Sequence, residues 1–139
     1  MTITTGAVLS GAVTVVALLV TFWMGLRVGL LRHRHGIEAP AVSGHPDFER
    51  AYRVQMNTME QLVLFLPLLW LSTLFLRSFT WAPAAVGLVW IAGRLVYSSG
   101  YMAAPERRGT GFQIGMLASL ALLILTLVGL AQAWGVRGS

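Results

Sequence analysis

The sequence predicts an all-α integral membrane protein that folds as a four-helix bundle, and three observations lead to this prediction. Apolar residues make up 56% of the 139 residues and charged residues only 11%, whereas about a quarter of an average soluble domain is charged. The mean hydropathy is +0.72. The apolar residues are concentrated in four stretches. Such a chain has more apolar surface than a core of this size can hide, so lipid or partner chains must cover the rest.

The first and fourth apolar stretches predict membrane helices directly, at about residues 6–31 and 111–134. Each exceeds the roughly 20 residues that cross a bilayer. The first has no charge before Arg27, and the fourth has none at all. No basic residue precedes the first stretch, and it is too long for the apolar region of a signal peptide. We therefore expect it to be retained as a helix.

The second helix has to begin before its apolar stretch does. Leu62–Leu76 would rise only about 22 Å as an α-helix, which is less than the bilayer core of about 30 Å. We therefore predict a helix over about residues 50–76, so that the polar residues of "YRVQMNTMEQ" are drawn into the membrane or its interface. The preceding segment "EAPAVSGHPDFER" contains prolines and a glycine and predicts an ordered turn or loop.

The third helix is predicted over about residues 81–104, with Arg94 inside it. The link between the second and third helices, residues 77–83, is short enough only for a tight turn. No internal repeat or low-complexity segment divides the chain, so residues 1–139 are expected to form a single domain.

The charged residues narrow the classes of partner. All ten basic residues are arginines, whose planar fork binds carboxylates and phosphates through paired hydrogen bonds. The isoelectric point is about 11.1, but a membrane bundle leaves no soluble basic groove for nucleic acid. We therefore expect membrane lipid headgroups or a small anion as partners. The absence of cysteine excludes disulfides, thiolate metal sites and a cysteine nucleophile.

Arginine positions predict the orientation in the membrane. Seven arginines lie on the connections that follow the first and third helices, and two lie on the opposite side. Because arginines are enriched on cytoplasmic connections, we expect four spans, with both of these connections in the cytoplasm and both termini outside. The seven are Arg27, Arg32, Arg34, Arg50, Arg53, Arg107 and Arg108; the two are Arg77 and Arg137.

Two polar faces are predicted near the cytoplasmic ends of the second and third helices. On the third, Arg94, Tyr97 and Tyr101 are spaced i, i+3 and i+7 and share one face. The second helix has a face with the spacing i, i+4, i+7 and i+8, formed by Arg53, Asn57, Glu60 and Gln61. Together they offer guanidinium groups for carboxylates, a carboxylate for an ammonium, an amide and two phenols. Such a pocket suits a small zwitterionic peptide with more than one carboxylate.

Structural roles are the alternative for each of these residues taken singly. Arg53 and Glu60 can pair with each other, Arg94 can bridge two helices, and the tyrosines can be interfacial aromatics. The two faces together favour a binding site, because intramembrane charges are costly and tend to mark function. No metal site is expected, because the histidines lack further ligands at a suitable spacing; they are His33, His35 and His45.

Two motifs resemble a known family. They are "FERAYRVQMNTMEQLVLFLPLLWL" (Phe48–Leu71) and "GRLVYSSGYMAAPERR" (Gly93–Arg108). Both are similar to motifs of the membrane-associated proteins in eicosanoid and glutathione metabolism, the MAPEG superfamily, and especially to its bacterial-type microsomal glutathione transferases and leukotriene synthase-like members. The resemblance implies a homotrimer of four-helix protomers, with glutathione bound between neighbouring protomers near the cytoplasmic side.

The resemblance also implies roles for individual residues. The arginine that activates the glutathione thiol corresponds to Arg108, with Tyr101 assisting by hydrogen bonding, and the proline-rich "PERRG" leaves Arg107 as an alternative. Leukotriene synthase has a tyrosine after the motif glutamate, where this chain has Gln61. The glutathione-binding residues correspond to Arg32, Arg53, Gln55, Asn57, Glu60, Arg94, Tyr97 and Tyr101.

The implied function is that of a membrane-bound glutathione transferase. Glutathione is the expected co-substrate, and its thiolate would attack a lipophilic electrophile or a lipid hydroperoxide held at the bilayer face. Conjugation, peroxidase and isomerase chemistry remain open alternatives. Another alternative is a non-enzymatic lipid-binding or scaffold protein on the same fold, which the complete set of polar residues disfavours because a scaffold does not need it.

Overall fold

The regular structure in residues 4–135, which the computed structural model describes, is entirely helical. Four α-helices follow one another, and a 3₁₀ turn over Pro105–Arg108 precedes the last. The prediction of an all-α chain with four helices is confirmed; Arg137 lies outside the described residues. The helices are α1 (Thr5–Arg34), α2 (Pro46–Phe75), α3 (Ala82–Ala103) and α4 (Gly109–Gly135).

Helix α2 begins at Pro46, so the expectation of a loop before residue 50 is wrong for residues 46–49. Pro46 occupies the first helical position, where its fixed φ suits the helix and its missing N–H costs nothing. The His45 Nδ1 atom accepts a hydrogen bond from the Asp47 N–H at 3.2 Å, and Asp47 and Glu49 place negative charge at the positive end of the helix dipole. Local capping chemistry therefore outweighs the turn-forming composition of this segment.

The early start of α2 gives it the length of a membrane helix. Among the residues that the structure describes, three helical segments are long and apolar enough to cross a membrane, as judged by length and composition. They are Thr5–Arg34, Pro46–Phe75 and Pro105–Gly135. Helix α3 is not among them.

Helices α2 and α3 form the centre of the bundle, since they contact each other and each also packs against α1 and α4. In the interior, Phe65 of α2 stacks on Trp90 of α3 with ring centroids 4.0 Å apart. Large apolar side chains on the outside remain exposed, which is the pattern of helices that face lipid; they include Leu19, Phe22, Val63, Leu117 and Leu127.

Helices α3 and α4 approach each other closely because glycines line their contact. A Cβ atom on Gly93 would lie 2.8 Å from Ile114 Cγ2 and 2.9 Å from the Gly115 nitrogen. A Cβ atom on Gly111 would collide with the Tyr97 nitrogen and Cα. Small residues at helix crossings allow this backbone approach in membrane proteins. The glycines thereby set the position of Tyr97 relative to the start of α4.

Alanine at Gly111 is expected to lower the thermal unfolding midpoint in detergent, because the added methyl group forces α3 and α4 apart. Overpacking of this kind costs about 1–3 kcal/mol. Gly11→Ala is the matched control, since nothing lies within 4 Å of a Cβ atom there, and it should leave the midpoint unchanged or slightly raised. Equal midpoints for the two variants, followed by circular dichroism, would contradict a tight α3–α4 contact.

Candidate functional site

The candidate site lies at the end of the bundle where α1 and α3 end and α2 and α4 begin. The polar residues of α2 are in its first half, and an apolar run follows them. The 3₁₀ turn that joins α3 to α4 closes the same end. The polar cluster of α2 therefore lies at one mouth of the bundle, next to an apolar interior.

Arg94 of α3 is the buried centre of this cluster, with only 1% of its surface exposed. Its Nε and Nη2 atoms donate to the Thr58 hydroxyl at 3.2 and 2.8 Å, and Nη2 also donates to Asn57 Oδ1 at 3.0 Å. The guanidinium carbon lies 4.1 Å from the centroid of the Tyr97 ring. Arg94 thus donates these hydrogen bonds to protein groups and fixes the orientation of the Asn57 amide.

A cavity of about 400 Å³ opens next to Asn57 and Tyr97, the two cavity residues that contact Arg94. It is bounded by Asn57 of α2, Tyr97 of α3 and Arg108 of the 3₁₀ turn, with Gly109 and Phe112 of α4 completing it. The structure therefore brings three predicted site residues from three separate elements to one space. Arg108 is exposed, and its guanidinium carbon lies 5.6 Å from the centroid of the Tyr101 ring.

A second cavity, of about 280 Å³, contains Arg53 and Tyr101. Arg50 and Glu49 also border it, and Arg50 Nη1 donates to the Met102 carbonyl at 3.2 Å, which joins the start of α2 to the end of α3. The Tyr101 ring connects the two cavities, because it lies beneath Arg108 and also 5.7 Å from the Tyr97 ring centroid.

Glu60 is exposed, and its Oε2 atom accepts a hydrogen bond of 3.5 Å from Asn57 Nδ2. The structural alternative for this residue was an ion pair with Arg53 or with Arg94. Within residues 4–135, no salt bridge joins Glu60 to either arginine. The carboxylate is therefore available to a cation from outside the chain.

Two predicted site residues lie away from this group. Gln55 is directed toward α1, where its Nε2 atom would lie 3.0 Å from a Cβ atom on Gly25, and it borders a third cavity with residues of α1. Arg32 donates to the Ala41 carbonyl at 2.8 Å, and its guanidinium lies over the Phe48 ring at 4.7 Å. Within one chain, the predicted residues thus lie on separate faces: Arg53, Asn57 and Arg108 border the two polar cavities, whereas Gln55 faces α1.

Three residues of the site had not been predicted: Thr58, Gly109 and Phe112. Thr58 is fully buried and donates to the Val54 carbonyl at 2.8 Å while it accepts from Arg94. A threonine in a membrane helix carries no distinctive signal, because it commonly bonds the preceding turn. Its adjacency to Asn57 was the only sequence feature that could have indicated it.

The arrangement suits an anionic ligand that carries one cationic group. Arg53 and Arg108 present guanidinium groups to the cavities, Glu60 presents a carboxylate, and Asn57 and Tyr97 present polar groups between them. A guanidinium next to a bound thiol would also favour the thiolate. Within residues 4–135, the one grouping of metal-ligating side chains lies elsewhere, on the connection between α1 and α2.

Comparisons with known proteins agree with this reading of the motifs. A family model described as MAPEG family matches residues 10–128. An uncharacterized protein of Synechocystis sp. is 42% identical over 125 residues, covering 90% of this chain and 88% of that protein. Microsomal glutathione S-transferase 2 of Homo sapiens is 35% identical over 119 residues, covering 84% and 80%. Leukotriene C4 synthase of Bos taurus is 33% identical over 122 residues, covering 88% and 80%.

Proposed function

The chain belongs to the MAPEG family, and from this membership and the geometry of the site we propose that it is a membrane-bound glutathione transferase. The observation that carries the proposal is the cavity in which Asn57, Tyr97 and Arg108 meet. Relatives that cover most of the chain include proteins named as a glutathione transferase and a leukotriene synthase. The first of these names includes glutathione, the thiol peptide proposed here as the co-substrate.

One carboxylate and the ammonium of glutathione each have a counterpart at the site. Arg53 can bind a glutathione carboxylate with two parallel hydrogen bonds, and Glu60 can bind the γ-glutamyl ammonium. The Asn57 amide, held by Arg94 at 3.0 Å, supplies a fixed polar contact between them. Because Arg94 is buried, its role in this proposal is to position Asn57 rather than to touch glutathione.

Arg108 would act on the sulphur. A guanidinium close to the thiol lowers the thiol pKa and so raises the fraction of thiolate, while the proton passes to solvent. The thiolate then attacks an electrophilic carbon; a carbon–sulphur bond forms, and the leaving group departs with the bonding electrons. The Tyr101 ring lies against Arg108, where its hydroxyl can assist by hydrogen bonding.

The second substrate is proposed to be a lipophilic electrophile or a lipid hydroperoxide. An apolar groove of about 390 Å³ runs between α2 and α4, bounded by residues that include Val63, Leu64, Met116 and Leu120. Phe112, which borders the polar cavity, precedes Met116 by one helical turn on α4. An apolar chain in the groove could therefore place its electrophilic carbon, or the oxygen of its hydroperoxide whose O–O bond breaks on attack, near the thiolate.

A glutathione titration of the purified protein in detergent tests the proposal. Saturable growth of the ultraviolet absorption band of the thiolate at neutral pH would support both binding and activation. Binding without this band would favour the non-enzymatic alternative, and absence of binding would refute the proposal.

We also propose that the complete site is shared between chains of a homotrimer. Arg53, Asn57 and Arg108 are on one face, whereas Gln55 lies toward α1 on another. A single ligand can reach both faces only if a second chain supplies one of them. Such an interface would also cover the polar groups at this end of the bundle from lipid. Mass measurement of the detergent complex should find three chains.

Mixed oligomers are expected to recover activity if the site is shared. Chains with Gln55→Leu and chains with Arg108→Ala each lack one face, but a mixed pair contains one complete site, so co-expressed chains should be more active than either variant alone. The matched control combines Arg53→Ala with Arg108→Ala, which both damage the same face and should show no recovery. Equal behaviour of the two mixtures in a conjugation assay would contradict a shared site.

We propose that α3 also spans the membrane, in addition to the three segments that are long and apolar enough by themselves. With four spans, both termini would lie outside and the glutathione site on the cytoplasmic side. The arginines of the α1–α2 connection and of the 3₁₀ turn are at the same end of the bundle, which is the end that the positive-inside rule assigns to the cytoplasm. This orientation gives the site access to cytoplasmic glutathione.

Cysteine labelling of intact cells is expected to modify Ser78→Cys and to spare Ser43→Cys. Both serines are exposed, and they lie on connections at opposite ends of the bundle. The substitutions are nearly isosteric, and the chain has no cysteine of its own, so each variant carries one reactive thiol. The reverse pattern with a membrane-impermeant maleimide would overturn the orientation.

A further inference from the structure

The connection between α1 and α2 brings two histidines and an aspartate together. His35 directly follows α1, His45 precedes α2, and Asp47 lies in the first turn of α2. One ligand atom of each lies within 4.8 Å of the others. The two imidazole rings are stacked, with centroids 3.5 Å apart and an interplanar angle of 11°, and His45 Nδ1 lies 4.0 Å from Asp47 Oδ2.

The Nε2 atom of His35 is buried and has no hydrogen-bond partner among the described residues. Buried polar atoms are nearly always paired, so an unpaired one calls for an explanation. On the other side of the stack, the lone pair of His45 Nδ1 accepts the Asp47 N–H at 3.2 Å, so a metal bound to this atom would replace that hydrogen bond. Two imidazole rings and a carboxylate thus lie close together, with ligand atoms within 4.8 Å of one another.

The frame around these residues is held by other contacts. Arg32 donates to the Ala41 carbonyl at 2.8 Å, and Glu49 accepts the Gly44 N–H at 2.9 Å. Neither contact uses the three clustered side chains. These two contacts hold the connection when the rings rotate toward a ligand, a rotation that gives up the stacking and the hydrogen bond from the Asp47 N–H to His45 Nδ1.

We propose that His35, His45 and Asp47 bind a divalent cation of the zinc type. Imidazole nitrogen and carboxylate oxygen are both zinc ligands, whereas magnesium and calcium prefer oxygen alone. Zinc–ligand distances of about 2.0–2.2 Å place tetrahedral ligand atoms roughly 3.3 Å apart. Binding therefore requires the stacked rings to rotate out of parallel, so that their lone pairs converge, and water completes the coordination.

The bound ion would cross-link the end of α1 to the start of α2. Because it binds the folded connection and not the unfolded chain, it should raise the thermal midpoint with increasing zinc concentration. The spacing along the chain gave no indication of this site, since His35 and His45 meet only when the connection folds back on itself. The proposal is independent of the glutathione site.

Calorimetric titration of the full-length, chelator-treated protein with zinc tests the inference. The protein has three histidines and no cysteine, so competing soft ligands are few, provided that the purification tag contains no histidine. We expect one zinc per chain in the wild type and in His33→Ala, whose side chain is exposed two residues before His35. His35→Ala and His45→Ala should each bind zinc at least tenfold more weakly and lose the zinc-dependent rise in thermal midpoint.

Asp47→Asn provides the second readout, because asparagine keeps the shape and removes only the carboxylate. It should fold normally and bind zinc more weakly than the wild type. Wild-type affinity in all three variants, or an equal loss in His33→Ala, would overturn the proposal. If the histidine variants do not fold, wild-type affinity in Asp47→Asn overturns the three-ligand site by itself. Glutathione, which binds zinc, is omitted, and glutathione affinity measured separately should be unchanged.

Discussion

Alanine in place of Arg108 is expected to slow glutathione conjugation about 8- to 25-fold at pH 7. A free thiol has a pKa near 8.5 and is only a few per cent thiolate at pH 7. Removing a guanidinium that lowers this pKa by about one to two units therefore removes most of the thiolate. The deficit should shrink as the pH rises past about 8.5, because the thiol then ionises unaided. Conjugation rates at saturating glutathione across this pH range provide the measurement.

Arg107→Ala is the matched control for this experiment. Arg107 is exposed and adjacent, but it does not border the cavity that contains Arg108. We expect Arg107→Ala to conjugate at the wild-type rate. A slow Arg107→Ala with a normal Arg108→Ala would reassign the role to the neighbouring arginine, and a wild-type rate for Arg108→Ala at every pH would remove it from the mechanism.

Glutamine in place of Glu60 is expected to weaken glutathione binding between about tenfold and a hundredfold. The carboxylate has one weak hydrogen bond, at 3.5 Å from Asn57, and no arginine partner within residues 4–135. The glutathione ammonium is therefore its proposed partner. A hydrogen bond between charged groups is worth roughly 1.5–3 kcal/mol, and each 1.4 kcal/mol is about a tenfold change in affinity. Calorimetric titration measures the loss.

A glutathione analogue that lacks the α-amino group separates a ligand contact from a structural role. It should bind the wild type and Glu60→Gln about equally, because neither complex contains the ammonium contact. Glu38→Gln, an exposed acidic residue on the α1–α2 connection, is the control and should bind glutathione normally. If Glu60→Gln instead unfolds at a lower temperature without ligand, and the analogue also loses affinity, Glu60 is structural.

Much of the site was predictable because it follows helical periodicity. Asn57 and Glu60 are three residues apart on α2, and their side chains do meet. Tyr97 and Tyr101 are four apart on α3, and their rings lie 5.7 Å from each other. Contacts of this kind depend on the 3.6-residue turn alone. They needed no knowledge of how the helices pack.

The inward orientation of Arg94 was not predictable in the same way. Its position on the polar face of α3 was clear, but its depth depends on α2, where Thr58 and Asn57 accept its hydrogen bonds. The separation of Gln55 from Arg53 has a similar cause. Both are on α2, but α1 covers one side of that helix, while α3 and α4 cover the others.

The amino-acid sequence by itself determined the helical class, the apolar segments and the family motifs, and it showed that arginine is used throughout in place of lysine. These properties depend on composition and on spacing within single helices, where neighbours are set by covalent geometry. The tertiary structure decided which side chains come together across elements: Arg94 with Thr58, Arg108 around one cavity with Tyr97 and Asn57, and His35 with His45. Those meetings depend on the close approach at Gly93 and Gly111 and on the fold of the first connection. Both arise from packing between segments that are distant in the chain, and local spacing carries no information about such packing.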